Sequence, residues 1–391
     1  MSRICLFALV LALLGGFVPN PSMGLEMDLR LRYRGEASGR FENITPPAAF
    51  CAVWPESCRV NNFNFVADLP ITYDKTIVNQ ASEQRDRHYI QMPAERRVQV
   101  ISETGRSYEL TFRFRSLSQH LKLLQPNRVE GDGRGGCELF TAISNRSAVR
   151  FRWGILNPPA PQPCHDASNT NVGLRTDVQV TQFGVGYELI MPRPIGMPQG
   201  IYRGSVDYTI GPGGDFDFGN AVSNLNGTRL TVNFELDVQH DLYLQFPPGS
   251  DRAVLEPPGG WMAWLSGRST PPRLFRDIPL RIWSTGPIKL YKRCQYELAG
   301  ICGLRESSGH MVPVQVAVTL PAGMQHGGKP INRVAIPTHE AAALQVEPIS
   351  TVWNQPGQLH FEVAGSDVPS MLAHPGSRYE GLVTVVFEAQ L

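Results

Sequence analysis

The sequence has almost no net charge and, after its first residues, no long apolar run. Lysine and arginine total 36 against 35 acidic residues, so the formal charge is +1. Such a balanced chain has no bulk attraction for polyanions, and we expect neither nucleic acid nor an anionic membrane as its partner. The uncharged segment at residues 4–18 follows Arg3 and precedes small residues at Ser22–Gly24. This pattern predicts a signal peptide over residues 1–24 and export of the remaining chain.

Helical stripes and catalytic motifs are missing as well. No stretch of ten or more residues shows the 3.6-residue apolar period of an amphipathic helix. The chain contains no G-x-S-x-G nucleophile elbow and no C-x-x-C or H-x-x-x-H metal spacing. The carboxylates in "GGDFDFGN", Asp215 and Asp217, do not match a calcium loop and indicate a hairpin end. We therefore expect no enzyme activity, no metal and no cofactor; an exported carbohydrate-active enzyme is the alternative from another class.

Cysteine is scarce, and its distribution suits an exported protein. One of the seven cysteines lies in the predicted signal peptide, which leaves an even number in the mature chain. In an oxidising compartment this predicts disulfides, although six cysteines allow 15 connectivities. The simplest prediction pairs sequence neighbours: Cys51 with Cys58, Cys137 with Cys164, and Cys294 with Cys302.

Strand patterns make up most of what the sequence does contain. Segments such as "YELTFRFRSL", "GIYRGSVDYTI" and "VPVQVAVTL" alternate apolar and polar residues, as half-buried strands do. Between them lie turns rich in glycine and proline, of which the chain has 37 and 32. Many strands at this spacing predict an all-β fold of antiparallel sandwiches or barrels.

The run at residues 230–246 suggests how the chain is divided. Every even position except His240 is apolar, over a length of about 56 Å if it were one strand. Because strands rarely exceed ten residues, we interpret it as two strands end to end, joined at His240–Asp241. The prediction is two sandwiches stacked end on, at residues 25–240 and 241–391. One long bent strand in a single large sandwich is the alternative.

The final segment, "RYEGLVTVVFEAQL", alternates as a half-buried strand, with Val383, Val385 and Phe387 on one face. No later segment of the chain is available to pair with it. Open sheet edges attract other strands, so we expect a strand of another molecule to cover this edge.

Several segments together resemble a known family. They are "FCAVWPESC", the Cys137–Cys164 loop, "PQGIYRGSVDYTI", "DLYLQFPPG", "KLYKRCQYEL" and the end of the chain from "TVWNQPGQLHFEVAG" onward. Their order and spacing resemble the minor tip subunits, also called initiators or tip adhesins, of alternate-class bacterial chaperone–usher fimbriae. The chain is similar to the colonization-factor and cable-pilus tip proteins.

The resemblance implies two immunoglobulin-like β-sandwich domains: an adhesin domain, then an incomplete pilin domain. It implies a periplasmic pilus chaperone, an outer-membrane usher and a major pilin subunit that donates a β-strand as partners. It also implies a location at the fimbrial tip on the cell surface. The chaperone would anchor the carboxylate of Leu391. The walls of the acceptor groove would be Leu242, Leu244 and Phe246 on one side and Val383, Val385 and Phe387 on the other.

The segment "LEMDLRLRYRG" leaves one question open. Leu25, Met27, Leu29 and Leu31 alternate as in a donor arm, which an adaptor or shaft subunit would carry. We interpret Leu25–Tyr33 as the first strand of the adhesin domain, since little sequence precedes it for a free extension.

Arginines alternate with aromatic residues in "TFRFR" and "VRFRW". If the two strands are neighbours, Arg113, Arg115, Arg150 and Arg152 form a patch suited to an anionic host glycan, because guanidinium groups bind carboxylate and sulfate. A merely solvated outer face is the alternative. Trp54, Trp261 and Trp264 are rival platforms for carbohydrate.

Overall fold

The computed structural model describes the chain at residues 24–35, 39–46, 48–53, 55, 66–126, 129, 131–167, 171–266 and 270–390. Residues 1–23 of the predicted signal peptide, Trp54, Cys58 and Leu391 lie outside the described residues. None of the helices in the described ranges is long and apolar enough to cross a membrane.

Strands dominate the N-terminal half of the molecule, which we define as strands β1 to β15. They are β1 Leu25–Tyr33, β2 Glu42–Asn43, β3 Val66–Leu69, β4 Tyr73–Val78, β5 Tyr89–Ile90, β6 Arg96–Ser102, β7 Ser107–Leu123, β8 Gly133–Gly135, β9 Cys137–Ser144, β10 Ala148–Ile155, β11 Cys164–Asp166, β12 Arg175–Ile190, β13 Gly200–Thr209, β14 Val222–Ser223 and β15 Arg229–Val238.

The C-terminal half comprises the remaining described strands. They are β16 Leu242–Gln245, β17 Arg273–Ser284, β18 Ile288–Cys294, β19 Glu297–Leu298, β20 Ile301–Arg305, β21 Met311–Thr319, β22 Met324–His326, β23 Lys329–Pro330, β24 Val334–Ala335, β25 Leu344–Pro348, β26 Val352–Ala364 and β27 Val383–Ala389. Three short α-helices, α1 Ala49–Val53, α2 Trp261–Ser266 and α3 Val368–Leu372, and three 3-10 turns are the helical elements of the described chain. The predicted all-β fold is confirmed.

A large folded sheet encloses the core of the N-terminal half. Its strand order is β14-β4-β12-β7-β6-β13-β15-β1-β2, and β10 and β3 join it at β7 and β12. The long strand β7 pairs with β6 through residues 107–112 and with β10 through residues 116–122. The sheet therefore turns along β7 and closes around Phe112, Phe114 and Trp153, whose exposed fraction is 0%.

Two separate sheets form the C-terminal half. One has the order β16-β17-β26-β21-β20-β19, with β24 beside β21, and the other has the order β23-β22-β25-β18-β27. Ile282 of the first sheet and Leu290 of the second belong to one cluster of buried residues. The core thus lies between the two sheets, as in a β-sandwich.

The two halves meet where the chain passes from β15 to β16. These strands belong to different sheets, with residues 239–241 between them. The His240 Nε2 atom lies 2.6 Å from the Met197 carbonyl oxygen, and the Tyr33 hydroxyl donates to the Thr285 carbonyl oxygen at 3.3 Å. The backbone N–H of Gln199 donates to the Gln390 carbonyl oxygen at 3.0 Å, so β27 also ends at this junction.

The disulfides agree with nearest-neighbour pairing where the structure describes them. Cys137 is bonded to Cys164, and Cys294 to Cys302. Cys51 is also disulfide-bonded, and its predicted partner lies outside the described residues. The first bond ties β9 to β11, and the second ties β18 to β20.

Candidate functional site: a groove between two edge strands

Two strands of the C-terminal half stand at sheet edges. Strand β16 pairs only with β17 among the described strands, and β27 pairs only with β18. Each lies at the end of its sheet, one in each layer of the sandwich. Apolar side chains of both strands pack against the same core cluster, so the two edges flank one opening of the sandwich.

Strand β27 is less buried than the last strand of the N-terminal half. In β15 alternate residues are buried, five in all, because the parallel strand β1 covers its outer edge. In β27 no residue is buried: six are half-buried and Thr384 is exposed. The same kind of strand thus has a covered edge in one half and a bare edge in the other.

The predicted wall residues point toward the core. Leu242 and Leu244 of β16, and Val383, Val385 and Phe387 of β27, are partly buried and pack against the core cluster. Side chains of a strand alternate between its faces, which sends Tyr243 and Thr384 outward. Both walls are therefore apolar on the side that faces the opening.

A cavity of about 1350 Å³ occupies the end of this groove that is distant from the junction. Phe246, Val383 and Val385 line it, and its deeper wall includes Ile278 and Phe361. The other wall residues of the prediction do not line the cavity; they contact the core nearer the junction. The groove is open at one end, and that end is large enough to take several side chains.

A pair of tryptophans stands at the open end. Trp261 and Trp264 of α2 line the cavity, with ring centroids 5.7 Å apart in an edge-to-face arrangement. The sequence suggested them as carbohydrate platforms, and the structure places them beside the groove instead. Periodicity could not reveal this position, because α2 reaches the groove through tertiary packing.

The segment that leads into β27 is fixed on the side of β18 and β20. Glu380 and Arg305 exchange two backbone hydrogen bonds of 3.0 Å each. The Tyr379 hydroxyl lies 2.8 Å from His310 Nδ1, and burial raises the pKa of that tyrosine. These bonds hold the start of β27 against one neighbour and leave its other edge facing the groove.

The four arginines of the predicted patch do not form one surface. One of them is buried, and the other three do not share a site. Arg152 is 1% exposed, its Nη2 lies 3.4 Å from the Ser116 hydroxyl oxygen, and burial lowers its pKa to about 10. Arg113 and Arg115 both form ion pairs with Glu188, at 2.8 and 3.3 Å. The four guanidinium groups therefore offer no common anion site.

The arginines are separated because of the geometry of β7. The register of β12 against β7 shifts at Arg115, which is an extra residue between the pairs formed by Ser116 and Phe114. Such a bulge changes which side chains face inward along a strand. Arg150 lies opposite His120, seven residues beyond Arg113 along β7, or about 23 Å away.

Comparison with known proteins adds little. No protein-family model and no curated protein matches the chain. Among solved structures, it is similar to the CsuC–CsuE chaperone–tip adhesion subunit pre-assembly complex from the archaic chaperone–usher Csu pili of Acinetobacter baumannii. The identity is 10%, the coverage is 81% of this chain and 84% of that chain, and the TM-score is 0.21. Because this score is too low to establish a shared fold, the conclusions below rest on the chain's own residues.

Proposed function

We propose that the protein is a non-enzymatic tip adhesin and assembly initiator of a chaperone–usher fimbria. Residues 25–240 are the adhesin domain, and residues 241–391 are a pilin domain that a strand of another subunit completes. The observation that carries this proposal is the groove between β16 and β27, with apolar walls, two bare strand edges and an open cavity. Extended peptides bind such edges through main-chain hydrogen bonds and place alternate side chains in the pockets.

The proposed partners are the proteins that would supply the missing strand of the pilin domain. A periplasmic pilus chaperone fills the groove during export, and the donor strand of the major pilin replaces it at the outer-membrane usher. The protein then stands at the tip of the fimbria on the cell surface. The arginines do not support an anionic glycan as receptor, because Arg152 is buried and both Arg113 and Arg115 are paired with Glu188, which leaves Arg150 alone.

A tip position is favoured over that of an adaptor or shaft subunit. An adaptor needs a free donor arm, and the candidate segment for it was Leu25–Tyr33. This segment is β1, which pairs in parallel register with β15 along all nine of its residues. Met27, Leu29, Leu31 and Tyr33 are buried in the core of the N-terminal half and so are not available to another subunit.

The test is to co-express the full chain with the periplasmic chaperone of the same fimbrial system and to measure co-purification. We expect a complex with the wild-type chain and its loss with Val385→Asp. Val385 lines the cavity, and an unpaired carboxylate among apolar side chains costs about 3 kcal/mol or more.

Thr384→Asp is the matched control, because Thr384 is the exposed residue of the same strand. That variant should bind the chaperone as the wild type does and should appear in assembled fimbriae. The proposal fails if the wild-type chain is stable without any partner and its thermal unfolding is unchanged by an added donor peptide.

A further inference from the structure

Three aromatic side chains form a row across the C-terminal half, which we call the aromatic row: Tyr243 of β16, Trp283 of β17 and Trp353 of β26. Tyr243 lies in register with Trp283, and their ring centroids are 5.0 Å apart in an edge-to-face arrangement. Trp283 in turn stands opposite Trp353 and Asn354, at an irregularity in the pairing of β17 with β26. Three adjacent strands therefore each contribute one aromatic ring.

The aromatic row lies on the outer face of its sheet, away from the groove. Ile282, Ser284 and Val352 are buried and point inward. Side chains alternate along strands, so their neighbours Trp283 and Trp353 point outward. The exposed fractions of Tyr243 and Trp353 are 59% and 69%. The row therefore lies on the opposite face of β16 from the groove walls, and Tyr243 is its only member on an edge strand of the groove.

Folding alone does not account for these rings. A tryptophan that keeps more than two thirds of its surface in water contributes little to the core, and a contiguous group of exposed aromatics marks a binding surface. The three rings stand on adjacent strands of one sheet, and those of Tyr243 and Trp283 are inclined at 60° to each other. Adjacent strands are about 4.8 Å apart, so the row extends over about 10 Å.

Polar groups border the aromatic row. In the next row of the sheet, Gln245 pairs with Arg281, and Arg281 pairs with Pro356. The Arg281 Nη1 atom donates to the Asn354 carbonyl oxygen at 3.0 Å, which leaves its other N–H groups directed to solvent or ligand. Amides and one guanidinium beside flat rings suit a ligand with apolar ring faces and peripheral hydroxyls. Arg281 is the single charged residue in these two rows, and this favours a neutral ligand over an ionic one.

We propose that the aromatic row binds a neutral, flat-faced oligosaccharide, with the C–H faces of successive sugar rings against Tyr243, Trp283 and Trp353. The electron-rich faces of Tyr and Trp attract these weakly positive C–H groups, and the polar ends of the same side chains tolerate water. β-Linked glucose or N-acetylglucosamine chains have this shape. The site lies in the C-terminal half, outside residues 25–240, and it does not depend on the proposed fimbrial function.

The experiment titrates the full chain with chitohexaose and with cellohexaose and follows intrinsic tryptophan fluorescence and calorimetry. We expect the wild type to bind one of them, and Trp353→Ala to bind at least tenfold more weakly. Tyr243→Ala should have a smaller effect in the same direction. Ile349→Ala, which truncates an apolar side chain that is 51% exposed in the same half, should bind as the wild type does.

Circular dichroism and thermal unfolding of Trp353→Ala serve as the test of folding and should equal those of the wild type, and its chaperone co-purification is measured in parallel. Absence of binding of both oligosaccharides to the wild-type chain, or equal affinity of the wild type and Trp353→Ala, overturns the proposal. Loss of chaperone binding or of self-association in Trp353→Ala, without sugar binding by the wild type, also overturns it and assigns the row to a protein interface.

Discussion

Leu29 of β1 lies in parallel register with Phe234 of β15, and their exposed fractions are 0% and 2%. In the C-terminal half, Phe387 of β27 has Leu290 of β18 on one side and no described strand on the other. The last described strand of each half, β15 or β27, thus has a different environment at its outer edge. In the N-terminal half the strand β1 covers that edge, and in the C-terminal half no described strand covers it.

This contrast predicts different costs for removing a buried side chain in the two halves. Leu29→Ala should destabilise the chain by about 2–5 kcal/mol, because it opens a cavity in a complete core. Phe387→Ala should cost about 1–2 kcal/mol in the free chain, since its ring is only half-buried, and about 3–5 kcal/mol once a donor strand is bound. Urea unfolding followed by hydrogen exchange separates the two halves. Equal costs of Phe387→Ala with and without donor would contradict the open-groove interpretation.

The free energy of unfolding should vary with pH because of His88. This side chain is 2% exposed and packs edge-to-face against the rings of Phe151 and Trp153. Burial, assisted by the positive charge of Lys75, lowers its pKa from 6.5 to about 3. Above pH 6.5 the imidazole is neutral in both states and contributes no pH dependence. Between pH 6.5 and 3 the unfolded chain binds a proton that the folded chain does not, so stability falls as the pH is lowered.

The measurement compares urea unfolding of the wild type and His88→Phe at pH 7.5 and pH 4.5. On acidification, the free energy of unfolding of the wild type should fall by about 2–3 kcal/mol more than that of the variant. The figure follows from about 1.36 kcal/mol for each pH unit below 6.5. Phenylalanine keeps the aromatic packing and cannot bind a proton. Parallel loss in both proteins would show that other groups carry the acid sensitivity.

The sequence predicts those features that depend on local alternation. The common face of Val383, Val385 and Phe387 follows from a period of two, and all three side chains pack against the core. The change of strand near His240 is inferred from the length of the alternating run, and β15 and β16 belong to different sheets. The pairing of Cys137 with Cys164 also agrees with sequence proximity. Each of these features needs only the order of residues along the chain.

Features that depend on register could not be predicted in the same way. The arginine patch assumed regular strands, and one extra residue at Arg115 in β7 separates its members. The deep wall of the groove combines Ile278, Val314 and Phe361 from three strands, which only the topology brings together. The aromatic row likewise needs the register of β16, β17 and β26 before its three rings become neighbours.

The two described disulfides should differ in their contribution to stability. Cys137 and Cys164 are 27 residues apart, whereas Cys294 and Cys302 are 8 apart. A longer closed loop restricts the unfolded chain more, which predicts about 3.5 kcal/mol for the first bond and about 2.5 kcal/mol for the second. Double serine variants of each pair, unfolded in urea under oxidising conditions, give the two values. The reverse order would indicate that native-state packing, not loop length, sets the effect.

Asp217 holds the loop after β13 in place. Its two carboxylate oxygens accept hydrogen bonds from Arg85 at 2.9 Å each, and they also accept the N–H groups of Gly213 and Gly219. Burial by itself raises the pKa of this carboxyl, but the bonds from Arg85 and the two backbone N–H groups outweigh it and lower the pKa. The carboxylate thus contributes stability above the unfolded pKa near 4, and this is lost as the pH falls through the lower folded pKa.

Asp217→Asn should therefore destabilise the N-terminal half by about 3–5 kcal/mol, because an amide N–H₂ would face donors on every side and leave Arg85 without its counter-charge. Asp215→Asn is the matched control: that side chain is 22% exposed beside Arg96, and the amide oxygen of asparagine can still accept the hydrogen bonds from Thr209. We expect a loss of about 1 kcal/mol, the contribution of an exposed ion pair. Thermal unfolding at pH 7 measures both effects. If the two variants lose the same small amount, the loop is held by its backbone turns, and Asp217 is one surface carboxylate among others.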